Sequence, residues 1–335
     1  MITNETVLIL GAGASQPFGF PTGQELVNEV FDALEYSYDT EWVEGDKSQS
    51  HGMISGIIHR GYNRDIIDDT RSSNILVDML LRQGFEREFI EDFRQSLILS
   101  QLNSIDAFLE HRSEFITIGK MAMAYILLKY EKHKNVINQN SDWYRYLWNK
   151  LNSSYNSFED NKLSIITFNY DRTFEYYLYN AFRNTYGKTE EETIRKTKKI
   201  EVLHLHGKLG YLAWENQLNA TEFGEEITQR DVLLNVSNSI KIIHEDVGVS
   251  HSKEFERAFR LMDGANRIFF LGFGFSDTNL KRLRINELRD GIYMAATAYG
   301  MTETEVQILK GKTSDKITFD KYSKCLDFLR NQVLS

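Results

Sequence analysis

The chain has 335 residues, of which 41% are hydrophobic, and its formal net charge is −9. This length suits one large domain or two ordinary ones with a substantial apolar core. The acidic balance argues against direct nucleic-acid binding, because phosphate binding needs clustered Lys and Arg. Cys325 is the single cysteine. It permits neither an internal disulfide nor a Cys₄ zinc site, and we expect a cytoplasmic location.

We expect neither a signal peptide nor a membrane anchor. The first ten residues, MITNETVLIL, have no basic region, and their apolar run stops at glycines. The apolar stretch 115–128 is interrupted by Lys120 and is too short to span a bilayer.

The first predicted element is a buried strand that runs into a tight turn. Residues 7–15 read VLILGAGAS. Gly11 and Gly13 have no Cβ, so the chain can turn sharply and its N–H groups can approach a phosphate. The helix expected from about Thr22 directs its positive end toward the same turn. The G-x-G-x-x-G pattern is incomplete, because Gln16 occupies its sixth position.

Both prolines of the chain, Pro17 and Pro21, lie in the segment QPFGFPTG that follows the turn. Proline suits the residues that lead into a helix, which is one interpretation of this segment. Beside the neighbouring glycines, we favour a loop that faces a bound nucleotide through Pro21 and Thr22.

A helical insertion is predicted for residues 37–160. Apolar residues recur there at spacings of three and four, with acids and bases between them. Ser104 and Asp106 are suitable capping residues for one of these helices. The polar segment 40–55 is predicted to be a loop.

Short apolar strands alternate with helices beyond residue 161. The predicted strands are LSIITF (163–168), IEVLHLHG (200–207), KIIH (241–244), RIFFLG (267–272) and IYMAATAYG (292–300). This alternation is typical of a parallel sheet covered on both faces, which the strand before Gly11 would join. We therefore predict an α/β, Rossmann-like core formed by residues 1–36 and 161–335.

The carboxyl ends of these strands carry the candidate functional residues, and ligands of open α/β sheets bind at such ends. The residues gathered there are Gly11 to Ser15, Asn169, Asp171, His206, Gly272, Gly274, Ser276 and Asp277.

Structural interpretations stand beside the functional ones. His206 could be a structural histidine, and Asp171 could cap the helix that follows it. His204, two residues before His206 on the same side of the strand, fits a packing residue better than a catalytic base. His244 and Glu245 have no second motif beside them and are interpreted as structural or rim residues.

The motifs GAGAS, TFNYD, HLHG and LGFGFSD, in this order, resemble the NAD-binding core of sirtuins. They are especially similar to the SIR2-like domains of bacterial anti-phage systems, among them the stand-alone Sir2 subunit of Sir2–HerA systems. The segment SID-FL, from Ser104 to Leu109, is similar to those bacterial domains as well. The resemblance implies a Rossmann-like fold with NAD as the substrate.

By position, the resemblance implies that Asn169 holds the nicotinamide ribose and the attacking water. Asp171 would contact the carboxamide or order the pocket, and His206 would be the catalytic histidine. The pyrophosphate would be cradled by Gly11, Ala12, Gly13 and Ser15, and the adenosine side would be bounded by Gly272, Gly274, Ser276 and Asp277.

Two departures from deacylase sirtuins put protein deacylation in doubt. The chain lacks the four cysteines of the zinc ribbon, and no arginine stands at Pro21-Thr22 to match the deacylases' Phe-Arg pair. The absent ribbon removes a module that shapes the acyl-peptide cleft. We expect no metal.

The function expected from these residues is NAD⁺ glycohydrolysis that depletes NAD⁺ during phage infection. Cleavage of the N-glycosidic bond passes through an oxocarbenium-like state and releases a neutral base, so a strong acid is not required. An amide and a histidine can orient and deprotonate water. The alternatives are an NAD-dependent deacylase or ADP-ribosyltransferase, and a non-catalytic module that senses a nucleotide.

An intracellular enzyme that hydrolyses NAD⁺ needs a gate. The predicted core and insertion occupy nearly the whole chain, so we expect regulation by a homo-oligomer and a second polypeptide. The resemblance makes a HerA-type ATPase the expected partner. The helical insertion would be its docking surface, or else a lid or scaffold for the pocket.

Overall fold

The computed structural model describes residues 1–35, 74–137, 143–216, 220–242, 253–332 and 334. The loop predicted at 40–55 lies outside these residues, as do His244 and Glu245. No helix in these described ranges is long and apolar enough to cross a membrane.

A six-stranded parallel sheet forms the centre of the protein. Its strands are β1 (Thr6–Leu10), β2 (Leu163–Thr167), β3 (Glu201–His204), β4 (Arg267–Leu271), β5 (Tyr293–Thr297) and β6 (Ile317–Asp320). Their spatial order is β3-β2-β1-β4-β5-β6, and every neighbouring pair is parallel. This confirms the predicted Rossmann-like α/β fold. The chain leaves β1 toward one edge and returns beside it as β4, so the order reverses between these two strands.

Two details of the sheet differ from the sequence prediction. Lys241 and Ile242 of the predicted strand 241–244 lie in no strand, and the neighbouring Ile240 forms only an isolated antiparallel bridge with Gly207. The remainder of that predicted strand falls outside the described residues. Strand β6 was not predicted, because its four residues form an edge strand with partly exposed side chains.

Helices pack on both faces of this sheet. They are α1 (Ala12–Ser15), α2 (Gly23–Ala33), α3 (Ile75–Arg82), α4 (Arg87–Leu99), α5 (Ile105–His111), α6 (Ile116–Leu128), α7 (His133–Ile137), α8 (Trp143–Leu151), α9 (Thr173–Tyr186), α10 (Glu190–Thr197), α11 (Arg230–Asn238), α12 (Lys253–Gly264), α13 (Asp277–Leu283), α14 (Glu303–Lys312) and α15 (Cys325–Asn331). Ser104 caps α5 as predicted, since its hydroxyl accepts a hydrogen bond from the Ala107 N–H at 3.1 Å.

The alternating side chains of β1 separate two hydrophobic clusters. Leu8 and Leu10 face the larger cluster, whereas Val7 and Ile9 face the smaller one, which contains α12 and α14. The larger cluster includes buried residues from α3, α4, α5, α6 and α8. The described part of the predicted insertion therefore covers one sheet face and shares its core.

Polar contacts join the helical segment, which is the described part of the predicted insertion (residues 74–137 and 143–160), to the start of α9. The Arg172 guanidinium pairs with Glu131, just beyond α6, and both side chains are fully buried. The Arg172 Nη1 also donates to the Thr221 carbonyl at 2.8 Å. Two residues before Arg172, the Tyr170 hydroxyl donates a hydrogen bond to the Asp106 carboxylate of α5 at 2.5 Å. Breaking a buried ion pair leaves an uncompensated charge, so these contacts favour a single arrangement of the two segments.

Candidate functional site

The turns that follow β1 and β4 touch each other through their backbones. A Cβ added to Gly272 would lie 2.2 Å from the Ala14 nitrogen, and one added to Gly11 would lie 2.6 Å from the Gly272 oxygen. Gly272 also has a φ of +56°, which side-chain-bearing residues rarely adopt. The glycines at this point are therefore required for the contact between the two turns.

The N–H groups of the glycine turn are largely used within the protein. Gly11 donates to the Leu271 carbonyl and Gly13 to the Gly272 carbonyl, both at 3.0 Å. Among the four residues predicted to cradle a pyrophosphate, Ala12 is exposed, whereas Gly11 and Ser15 are buried. In this structure the turn thus faces solvent mainly at Ala12.

The Asn169 carboxamide is held in one orientation beside the turn. Its Nδ2 donates to the Gly11 carbonyl and to the Ser15 hydroxyl, each at 2.9 Å. Both amide hydrogens are therefore used. The Oδ1 atom has no hydrogen-bond partner among the described residues and remains available as an acceptor.

Asp171 holds Ser15 and the first residue of α9, Thr173, through its carboxylate. Its Oδ2 accepts from the Ser15 hydroxyl at 2.7 Å, and its Oδ1 accepts from the Thr173 hydroxyl and N–H. Burial raises the pKa of Asp171, against the opposing effect of the hydrogen bonds from Thr173 and Ser15. Asp171 thus contacts the beginning of α9, as expected of a capping residue, and also the Ser15 hydroxyl, which accepts from Asn169.

His206 is a buried imidazole with an unused nitrogen. It is 6% exposed, and its Nε2 has no hydrogen-bond partner among the described residues. The rings of Phe168 and Phe255 lie 5.4 and 6.0 Å from it. Burial, together with the charges of Arg282 and Lys241, lowers the pKa of His206 to about 4. The ring is therefore neutral at neutral pH, with one nitrogen able to accept a proton.

His204, interpreted from the sequence as a packing residue, instead makes polar contacts through both of its ring nitrogens. Its Nδ1 lies 3.0 Å from the Asn169 carbonyl and its Nε2 lies 2.8 Å from the Glu175 carboxylate. The two ring nitrogens of His204 thus contact two oxygen atoms on different segments, one after β2 and one in α9. Burial alone would raise the pKa of Glu175, but His204 and Lys208 lower it to about 2.

Phe168 connects His206 to the glycine turns. Its ring centroid lies 5.4 Å from that of His206 and 4.9 Å from that of Phe273, the residue after Gly272. The structure thus joins Asn169, Asp171 and Ser15 in one hydrogen-bonded network. His206 packs against Phe168, the residue before Asn169.

Pro21 and Thr22 have structural roles in the observed loop. Pro21 is buried. Thr22 is the N-cap of α2, and its N–H and hydroxyl both donate to the Glu25 carboxylate, at 2.7 and 2.8 Å. This geometry matches the helix-entry interpretation, with a capping box at the start of α2.

The residues from Gly274 to Asp277 that were predicted to border the adenosine are exposed, except Phe275. Gly274 is exposed, with nothing within 4 Å of an added Cβ. Ser276 is exposed as well and caps α13 through its hydroxyl. The Asp277 carboxylate accepts a hydrogen bond from Lys312 at 2.6 Å, which lowers the pKa of Asp277.

Three residues of the site were missed by the sequence analysis. The Trp143 indole donates to the Ala14 carbonyl at 2.9 Å, and the Tyr144 hydroxyl lies 2.7 Å from the Thr173 hydroxyl. Thr297, at the end of β5, accepts from the Gly272 N–H at 2.8 Å. The strand-end rule applied to β5 could have found Thr297. Nothing local to Trp143 or Tyr144 signals their contacts.

Metal ligands do not cluster in the described ranges, since no group of three or more His, Cys, Asp and Glu side chains there could hold a metal ion. The buried atom without a partner at the site, His206 Nε2, suits a water molecule or a substrate hydroxyl as its partner.

A comparison with protein-family models identifies residues 163–306 as a SIR2-like domain. The chain therefore contains a SIR2-like domain, and its matched range includes Asn169, His206 and Gly272. SIR2-like domains bind NAD and are in general NAD-dependent enzymes, which supports an NAD-related function. A search of curated proteins found no match to the chain.

Replacement of Gly272 by Ala should destabilise the protein, because its Cβ would collide with the Ala14 backbone at an unfavourable φ. We expect Gly272→Ala to lower the free energy of unfolding by about 3 kcal/mol or more. The matched control is Gly274→Ala, whose added methyl meets open space. This control should stay within about 0.5 kcal/mol of the wild type in urea unfolding. Equal stability of the two variants would show that the turns do not touch.

His206 should also make stability depend on pH. Because its pKa of about 4 in the folded protein lies below the ordinary 6.5, the unfolded chain binds an extra proton between these values. The free energy of unfolding should fall by about 1.4 kcal/mol for each unit that the pH drops from 6.5 toward 4. His206→Phe should remove this contribution, whereas His111→Gln, at an exposed histidine, should keep it. Identical pH slopes for wild type and His206→Phe would contradict the assignment.

Proposed function

We propose that this SIR2-like protein is an NAD⁺ glycohydrolase that cleaves the bond between nicotinamide and ribose. The observation that carries the proposal is a pair of side chains beyond strand ends that each have a polar atom with no hydrogen-bond partner among the described residues. Asn169 offers a fixed carboxamide oxygen, and His206 offers a neutral, buried nitrogen. Asn169 lies beyond the carboxyl end of β2, which neighbours β1 at the switch point, and His206 lies beyond the carboxyl end of the edge strand β3. Nucleotides bind at the carboxyl ends of the strands in Rossmann-like folds.

The chemistry requires a positioned water rather than a strong acid. Departure of nicotinamide as a neutral base leaves positive charge on the ribose C1′, and the water oxygen bonds to that carbon as the C1′–N bond breaks. The Asn169 Oδ1 would accept a hydrogen bond from the water or from a ribose hydroxyl. The His206 Nε2 would take the proton that the water loses.

The low basicity of His206 is compatible with this role. Water becomes strongly acidic as it bonds to a cationic carbon, so a base with a pKa of about 4 suffices. Burial between Phe168 and Phe255 keeps the ring neutral and ready to accept. The positive charges of Arg282 and Lys241 near this ring favour an anionic substrate such as a dinucleotide.

In this proposal the glycine turn faces the pyrophosphate at Ala12, and the open segment at Gly274 and Ser276 borders the adenosine. Gly11 and Gly13 act mainly through the shape of the turn. Asp171 acts as a positioning residue, because its two oxygens are occupied by Ser15 and Thr173.

The test is to incubate purified protein with NAD⁺ and to quantify nicotinamide and ADP-ribose products by chromatography. We expect turnover without an acylated peptide and without loss of activity in EDTA. Asn169→Ala and His206→Ala should each lower turnover by about two orders of magnitude or more. The controls Asn184→Ala and His111→Ala, at exposed positions, should retain activity.

Near wild-type turnover in both site variants would refute the site. Strict dependence on an acetyl-lysine peptide would instead favour the deacylase alternative, and binding of NAD⁺ without any product would favour a sensing module. Loss of activity in EDTA that a divalent ion restores would refute metal-independent chemistry.

We further propose that the enzyme depletes NAD⁺ in the cytoplasm during phage infection and is held inactive by assembly. The proposed assembly is a homo-oligomer that docks a HerA-type ATPase, with the surface of the helical segment as the contact. The mass of the purified protein in solution and its NAD⁺ turnover should be measured alone and with the ATPase encoded beside it. A monomer that is fully active unaided would refute this proposal.

A further inference from the structure

We propose that Trp143 and Tyr144, adjacent residues of α8, are positioning residues for catalysis at Asn169. The inference rests on the proposed NAD⁺ cleavage. It gives the helical segment a role in the reaction, because Trp143 contacts the glycine turn and Tyr144 contacts Thr173 at the start of α9.

Trp143 holds the glycine turn. Its side chain is 1% exposed, and its indole N–H donates to the Ala14 carbonyl at 2.9 Å. The nitrogen of the same residue, Ala14, lies against Gly272. Ala14 is thus fixed on one side by the backbone contact between the turns and on the other by the indole. The position of the turn, and therefore of any group bound to it, depends on Trp143.

Tyr144 acts on the carboxamide through a chain of hydroxyl groups. The Thr173 hydroxyl donates its hydrogen to Asp171, so the Tyr144 hydroxyl must be the donor in its 2.7 Å contact with Thr173. Asp171 in turn accepts from Ser15, and Ser15 accepts from Asn169. Removal of the first donor loosens a chain that ends at the Asn169 amide.

The surroundings of Tyr144 allow its hydroxyl to be tested by itself. Its ring stacks on Phe18 at 3.9 Å with an angle of 18° and packs against Phe174 at 5.4 Å. Phenylalanine keeps these ring contacts and removes the hydroxyl that contacts Thr173. Tyr146 on the same helix is a matched control, because its half-buried ring contacts the Lys150 ammonium and it makes no comparable hydroxyl contact among the described residues.

The two substitutions should have different kinetic effects. Tyr144→Phe should lower kcat roughly tenfold with little change in KM, because it disturbs the Asn169 carboxamide that orients the attacking water. Trp143→Phe should mainly raise KM, by roughly tenfold, because it frees the turn that binds substrate. Tyr146→Phe should match the wild type in both parameters. Thr173→Ser retains the linking hydroxyl and should keep kcat, whereas Thr173→Val should lower it.

A double-mutant cycle separates positioning from general destabilisation. In a Ser15→Ala background the hydroxyl chain is already interrupted, so adding Tyr144→Phe should change kcat by less than about twofold. If Tyr144→Phe lowers kcat by the same factor with and without Ser15→Ala, the inference is overturned. A Tyr144→Phe variant with the wild-type kcat would overturn it as well. If the wild-type protein cleaves NAD⁺ while these variants behave normally, the inference fails and the proposed function stands. If the wild-type protein releases no nicotinamide, both fail.

Discussion

The close approach of two backbones at the switch point is the constraint on which the rest of the site depends. The turn after β1 and the turn after β4 meet without any Cβ between them, at Gly11, Gly13 and Gly272. This contact sets where the chain enters α1. It thereby determines where the Gly11 carbonyl and the Ser15 hydroxyl lie, and these two groups hold the Asn169 carboxamide. A side chain at Gly272 would displace the whole arrangement, not one contact.

The sheet could be predicted largely from the sequence because buried parallel strands are continuous apolar runs. VLIL, LSIIT and RIFFL are such runs, and they form three of the four inner strands. The same rule fails for one buried segment that forms no strand and for one strand that is partly exposed. Ile242 is fully buried in the larger cluster yet lies in no strand, so an apolar run by itself does not specify a strand. Strand β6 is short and partly exposed, so its sequence lacks the apolar run that the rule requires.

The candidate site was predictable as far as topology determines it. Parallel strands bring their carboxyl ends to one rim, so Asn169, Asp171 and His206 could be grouped without coordinates. Which atoms remain available could not be predicted, because it depends on contacts between distant segments. Trp143 reaches Ala14 across 129 residues of chain, and no local pattern specifies that contact. The N–H groups of Gly11 and Gly13, expected to face phosphate, are used between turns.

His204 and His206, the two histidines of HLHG, lie two residues apart but fit two different roles in the proposed site. In the proposed reaction, the base must be neutral before it takes the proton, whereas the amide that orients the water must be rigid. His206 meets the first requirement among phenylalanine rings, with its Nε2 unpaired in the described structure. His204 meets the second, since it joins the Asn169 carbonyl to the Glu175 carboxylate. Two imidazoles two residues apart thus have different surroundings, because one lies beside aromatic rings and the other beside a carboxylate.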